Sequence, residues 1–131
     1  MVGTEDLSGM TTYRVYAVLE NTDDVLSAII GDNEYHTFFN SSTSFFQDPF
    51  GSETPDAITP DFVQFVPSLE FDSWVTIGLD QAPEGDEGSI TVFEDSSFPW
   101  IAPFEAGNNI DISSTEGGGW YAFAEDSNTI S

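Results

Sequence analysis

One feature limits what this chain can become before any pattern is read: 24 acidic residues stand against a single base, Arg14, and there is no lysine. The formal net charge at pH 7 is −23. With so few cations in the chain, nearly every carboxylate must lie in water, accept backbone N–H bonds or sit beside a cation from solution. Self-repulsion opposes any compact state, and salt or bound cations relieve it. The same imbalance excludes nucleic acid and anionic membrane surfaces as direct partners, since no basic patch exists to neutralise phosphates. Two readings of the acidity stand side by side. One is solubility in a salty setting, such as a halophile cytoplasm or sea water. The other is specific binding of a hard cation, calcium first.

The apolar content shows that the chain folds despite this charge. Of its 131 residues 39% are hydrophobic and 12 are phenylalanine, far more than a disordered chain carries. That length suits one domain, able to bury roughly two-thirds of its unfolded surface. Cysteine is absent, which removes thiol catalysis, structural zinc–thiolate sites and iron–sulfur clusters. No run approaches 18 apolar residues, so no membrane span is expected. The first six residues, Met1 to Asp6, offer neither a basic nor an apolar leader region. Either the chain is cytosolic or the numbering begins on a mature or excised segment, and the second is the expectation.

Alternation of apolar and polar residues organises the rest. Residues 1–11 are small, polar and acidic, and read as a flexible lead-in or exchange arm. Thr12 to Glu20 reads as a strand, with Tyr13, Val15, Ala17 and Leu19 on one face and Arg14, Tyr16 and Val18 on the other. Further strands are expected in 25–30, in 34–39, in 89–94, near 109–113 and in 119–124. Glu70 to Asp80 is the strongest, with Trp74 and Thr76 opposite Val75, Ile77 and Leu79. Gln47 to Pro60, rich in proline, reads as a long surface loop, and Asp61 to Val66 as a short strand or a helical turn. The pattern predicts an all-β fold of seven to nine short strands: a two-sheet β-sandwich, jelly-roll or immunoglobulin-like, over residues 12–125, with a tail at 126–131.

Little in the sequence points to catalysis. His36, the single histidine, lies in an aromatic strand context with no nucleophile elbow elsewhere. Gly117-Gly118-Gly119 lacks the Lys-Ser/Thr of a phosphate loop and reads as a turn. Glu70 and Asp72 fall on one strand face, where two carboxylates chiefly repel one another. Calcium has better candidates. The loop from Asp80 to Gly88 brings Asp80, Glu84, Asp86 and Glu87 together among glycines, without EF-hand spacing. The turns at 21–24 and 31–34 are weaker alternatives. Asn40-Ser41-Ser42 is a glycosylation sequon in a polar turn, which makes Asn40 the candidate N-linked site and the surrounding hydroxyls, Thr37 and Ser41 to Ser44, O-linked ones. Phe98, Trp100 and Trp120 are candidates for a sugar-stacking platform, with Trp100, between Pro99 and Pro103, the one expected to be exposed.

The segments Thr12 to Ala17, Asp24 to Asp32, Ser44 to Gly51 and above all Asp72-Ser73-Trp74-Val75-Thr76-Ile77-Gly78-Leu79 resemble a family of uncharacterised secreted modules. Pro99-Trp100-Ile101 and Gly118 to Tyr121 fit it as well, so that the resemblance spans roughly residues 12–125. Such modules occur, often in tandem, in very large surface proteins of aquatic microbes and algae. The resemblance implies an extracellular or cell-surface setting, and carries no enzymatic activity and no binding residues with it. Members continue past the position of Ser127 into further β-forming sequence. A sandwich short of a terminal strand would present an open edge that a neighbouring copy could fill, and such head-to-tail contacts build filaments. The expected function is therefore a non-enzymatic, self-assembling structural module whose partners are copies of itself, with Thr12 to Glu20 as the better donor strand. The alternative is a calcium-assisted carbohydrate-binding or adhesive module.

Overall fold

The computed structural model describes residues 6–130. Of the expected lead-in, residues 1–5 lie outside the described residues. Five strands form among the rest, in two antiparallel sheets, in place of the expected seven to nine. They are β1 (Ala28–Gly31), β2 (Thr37–Phe39), β3 (Thr91–Phe93), β4 (Ile110–Ile112) and β5 (Gly118–Tyr121). The larger sheet runs β1-β5-β3 and the smaller pairs β2 with β4. Two short helices, α1 (Pro60–Phe65) and α2 (Ile101–Glu105), and three single 3-10 turns complete the elements.

The centre of the larger sheet is the least strand-like sequence in it. β5 opens with two glycines, and a side chain on Gly119 would overlap the carbonyl oxygen of Ile29 in β1. Without a Cβ, the two backbones close into a ladder that pairs Ile29 with Trp120 and Ile30 with Gly119. Trp120 then drops into the main core beside Trp100, Phe104, Ile110 and Ile112, with Val75, Ile77, Leu79 and Ile90. Burying side chains of this size contributes about 1.5–3 kcal/mol each. A second, smaller cluster joins Ile58, Val66 and Leu69 under α1.

The helices have local causes. Thr59 caps α1 by accepting the Phe62 N–H at 3.2 Å, and Pro60 takes the first helical position. The helix stops at Val66 because Pro67 follows. This resolves Asp61 to Val66 as helical. The start of α2 is held by Glu94, whose carboxylate accepts the N–H groups of Trp100 and Ile101 at 3.0 and 2.9 Å.

Three expected elements differ. Glu70 to Asp80 forms no ladder: a 3-10 turn over Pro67–Phe71 runs into it, Gly78 turns left-handed at φ +68°, and the Thr76 hydroxyl closes a turn onto Leu79. The predicted alternation survives nonetheless, since Val75, Ile77 and Leu79 are buried. Gln47 to Pro60 is not wholly a surface loop, because Asp48, Thr54 and Pro55 are buried within it. Thr12 to Glu20 is not a strand here: it carries no regular structure and is almost wholly exposed. At the other end, the residues read as a tail are knit into the body. Asn128 donates to the carbonyls of Ile77 and Gly88 and accepts the Gly88 N–H, while the Thr129 carbonyl accepts the Leu26 N–H.

Candidate functional site

The Asp80–Gly88 loop turns its carboxylates to local structure. Glu87 accepts the Glu84 N–H at 2.9 Å, Glu84 accepts from the Gln81 amide, and Asp80 lies 3.4 Å from Arg14. Asp86 is exposed. Among the described residues no three acidic or histidine side chains are grouped as metal ligands. The acids of the two weaker candidate turns act in the same way. Asp24 accepts from Asn21, and Asp32 from the N–H groups of Glu34 and Tyr35, which holds both carboxyls below their usual range.

Asn40 is exposed directly after β2, in a turn where the Ser41 N–H bonds Asn109. Trp100 corrects the sequence reading. Only 2% of it is exposed, its ring meets Trp120 at 5.5 Å and Phe104 at 6.4 Å, and its indole N–H bonds the Phe93 carbonyl. The prolines beside it shape a connector that folds the ring inward, so it offers no face to a sugar. Phe98, next but one in sequence, is 68% exposed instead. It lines a cleft of about 670 Å³ with Pro99, Asn109, Asp111 and the hydroxyls of Ser113 to Thr115.

The most unusual chemistry lies elsewhere, in a buried carboxyl cluster. Asp48 and Asp72 are both buried. The Asp48 N–H donates to Asp72 Oδ1 at 2.8 Å, and the Ser68 hydroxyl bonds Asp48 Oδ2 closely. Asp72 Oδ2, Glu105 Oε1 and Gln47 Oε1 are buried without a hydrogen-bond partner. Burial first, then the nearby charges of Glu105 and Asp48, push the Asp72 carboxyl up from 3.8 to about 7. Burial and the charge of Glu53 raise Glu105 as well. A group poised there can hold or release a proton near neutrality. Sequence reasoning weighed Asp72 only as the strand-face neighbour of Glu70. The cluster depends on Gln47 and Asp48 folding back from a proline-rich loop, a long-range contact that no local pattern encodes.

The other exceptional feature is the segment Thr12 to Leu19. Tyr13, Val15, Tyr16 and Val18 are 83%, 78%, 76% and 92% exposed. Among the described residues, the sole hydrogen bond made by 11–19 is that of Arg14 to Asp80. No protein-family model, curated protein or solved structure matches this chain.

Proposed function

We propose that this chain is an extracellular structural module, a self-assembling subunit of a surface filament or layer joined by strand exchange between copies. The observation that carries this reading is the Thr12–Leu19 segment. It has the alternation of a strand, no acidic residue, four large apolar side chains in water and no backbone partner among the described residues. A β-competent segment of that kind is a ready donor for another sheet's edge. The resemblance to tandem surface modules supports the same setting. On this reading the finer architecture is a two-sheet sandwich completed by a neighbour's strand, and Asn40 carries a glycan. The role is not enzymatic, and calcium has a place as a bridge between acidic surfaces. Electron microscopy of the full chain across a salt series, with and without a calcium chelator, tests it. Ordered fibres or sheets are the expected result, and isolated particles in every condition would sink the reading.

The second reading is a calcium-assisted carbohydrate-binding or adhesive module, which the Phe98 cleft favours. An exposed aromatic ring beside amide, carboxylate and hydroxyl groups is the usual chemistry for holding a sugar. On this reading Phe98→Ala abolishes glycan-array binding while leaving the thermal midpoint unchanged. An array as empty for the parent chain as for the variant would remove it.

A further inference from the structure

Strand exchange needs an acceptor, and among the described residues the larger sheet leaves one face and one edge uncovered. The register sets Ala28, Tyr121 and Thr91 in one row and Ile30, Gly119 and Phe93 in the next. The intervening row holds Trp120, which belongs to the core, so these two rows face outward. Ile30 is 63% exposed and Phe93 40%. Tyr121 stands between Phe93 and Phe123, each ring 6.1 Å away. The result is an aromatic band crossing an uncovered sheet face.

The edge follows from hydrogen-bond alternation. The Ala122 N–H bonds the Ser27 carbonyl at 2.9 Å, one pair beyond Ala28 and Tyr121. Bonded and non-bonded pairs alternate in an antiparallel ladder, so Trp120 bonds toward β1, while Gly119 and Tyr121 bond toward β3. Val92, opposite Trp120, therefore turns its own N–H and C=O away from β5. On that side β3 has no strand beside it among the described residues. The far edge of β1 is less open, because the Thr37 hydroxyl occupies the Ile30 carbonyl at 2.6 Å.

We propose that Thr12–Leu19 of one copy adds along the outer edge of β3 in a second copy, one alternating set of its side chains extending the Phe93–Tyr121–Phe123 band. This rests on the assembly reading and names its joint. Charge selects the occupant. Two bodies of −23 repel over most of their surface, and this segment combines no acid with the chain's single base. It is the stretch least opposed by another copy, and it arrives beside the exposed Glu94, which follows β3. Its present tether is weak: Arg14 and Asp80 are both more than half exposed at 3.4 Å, and such pairs contribute little. Screening of the remaining repulsion makes the contact salt-dependent.

Because the chain has no cysteine, disulfide trapping is clean. Full-length Val15→Cys and Tyr16→Cys, one for each face of the donor, are each mixed with full-length Thr91→Cys in about 1 M NaCl, where the screening length is about 3 Å. The control partner is Ser42→Cys, exposed in the turn after β2. We expect one donor position to link to Thr91→Cys at least about tenfold faster than to the control, this preference being our criterion for a specific joint. A peptide of residues 12–19 is expected to suppress both the link and the growth of assemblies. Assemblies seen by microscopy without that preference would overturn this joint and leave the assembly reading standing. A link formed only within single chains of the Val15→Cys/Thr91→Cys double variant, at monomer mass, would overturn it by making the chain its own acceptor. No assembly and no link at any salt concentration would defeat both.

Discussion

At the scale of single residues, two side chains define what the interior tolerates. Asp72 keeps a carboxyl beside Asp48 and Glu105 with one oxygen unpartnered. Its folded-state value of about 7 lies above the ordinary 3.8, so between those limits the folded chain binds more protons than the unfolded one. Stability must then fall as pH rises from about 4 to about 7, and stay lowered above. The full effect is of the order of a few kcal/mol, at 1.36 kcal/mol for each pH unit separating the two values. Asp72→Asn keeps an oxygen for the Asp48 N–H and cannot ionise. It is expected to raise the melting midpoint at pH 8 by about 10 °C, change it little at pH 4, and flatten the slope between. Thermal melts at those two values decide it, and a variant with the parent's slope would show that Asp72 titrates as an ordinary carboxylate. Trp100 is the opposite case, a large ring with its single polar atom satisfied by Phe93. Trp100→Ala leaves a cavity against Trp120 and Phe104 and is expected to cost about 3–5 kcal/mol. Urea titration reads that loss directly, and a cost below about 1 kcal/mol would mean that the ring is not the keystone its burial implies.

At the scale of elements, backbone access matters more than propensity. β5 is central although it begins with glycines, because β1 can approach only where no Cβ stands. Gly119→Ala is expected to unpair β1 from β5 and cost more than 3 kcal/mol, well above the usual range for a single methyl. Hydrogen exchange should lose protection in β1 and β5 first, and intact protection there would contradict the close approach. The same logic separates what the sequence made legible from what it hid. Alternation correctly marked Val75, Ile77 and Leu79 as inward-facing, and found the residues of β2, β3 and β4 and most of β1, but it read the glycines that open β5 as a turn. It could not show that Glu70 to Asp80 lacks a partner strand, since Gly78 and the Thr76 turn break the ladder without disturbing the burial rhythm. For Thr12 to Glu20 the alternation is that of a strand, yet among the described residues it pairs with no edge of its own chain. Trp100 misled for a related reason: its flanking prolines suggested exposure, but Glu94 caps the helix start beside it and the ring turns into the core. The Asp48–Asp72 pair was out of reach because its parts lie 24 residues apart and meet through a buried loop.

At the scale of the whole molecule, the charge of −23 sets the conditions under which everything else operates. With one base in the chain, repulsion is relieved mainly by ions from solution. The screening length falls from about 10 Å at 0.1 M salt to about 3 Å at 1 M, shorter than most separations between surface carboxylates. Stability and self-association should therefore both rise with ionic strength. The identity of the cation separates screening from binding. Extracellular calcium modules have dissociation constants of about 0.1–1 mM, so about 10 mM calcium added to about 1 M sodium chloride changes screening little but largely fills a specific site. Since Asp80, Glu84 and Glu87 already serve Arg14 and their own turn, sodium chloride alone is expected to deliver nearly all the rise in the urea midpoint of the monomer. Calcium is expected to matter only where two acidic surfaces meet. A calcium-dependent rise in the monomer that Asp86→Asn abolishes would reverse this. It would mean that the Asp80–Gly88 loop rearranges around the ion, and that the cation is part of the fold rather than of the joint between copies.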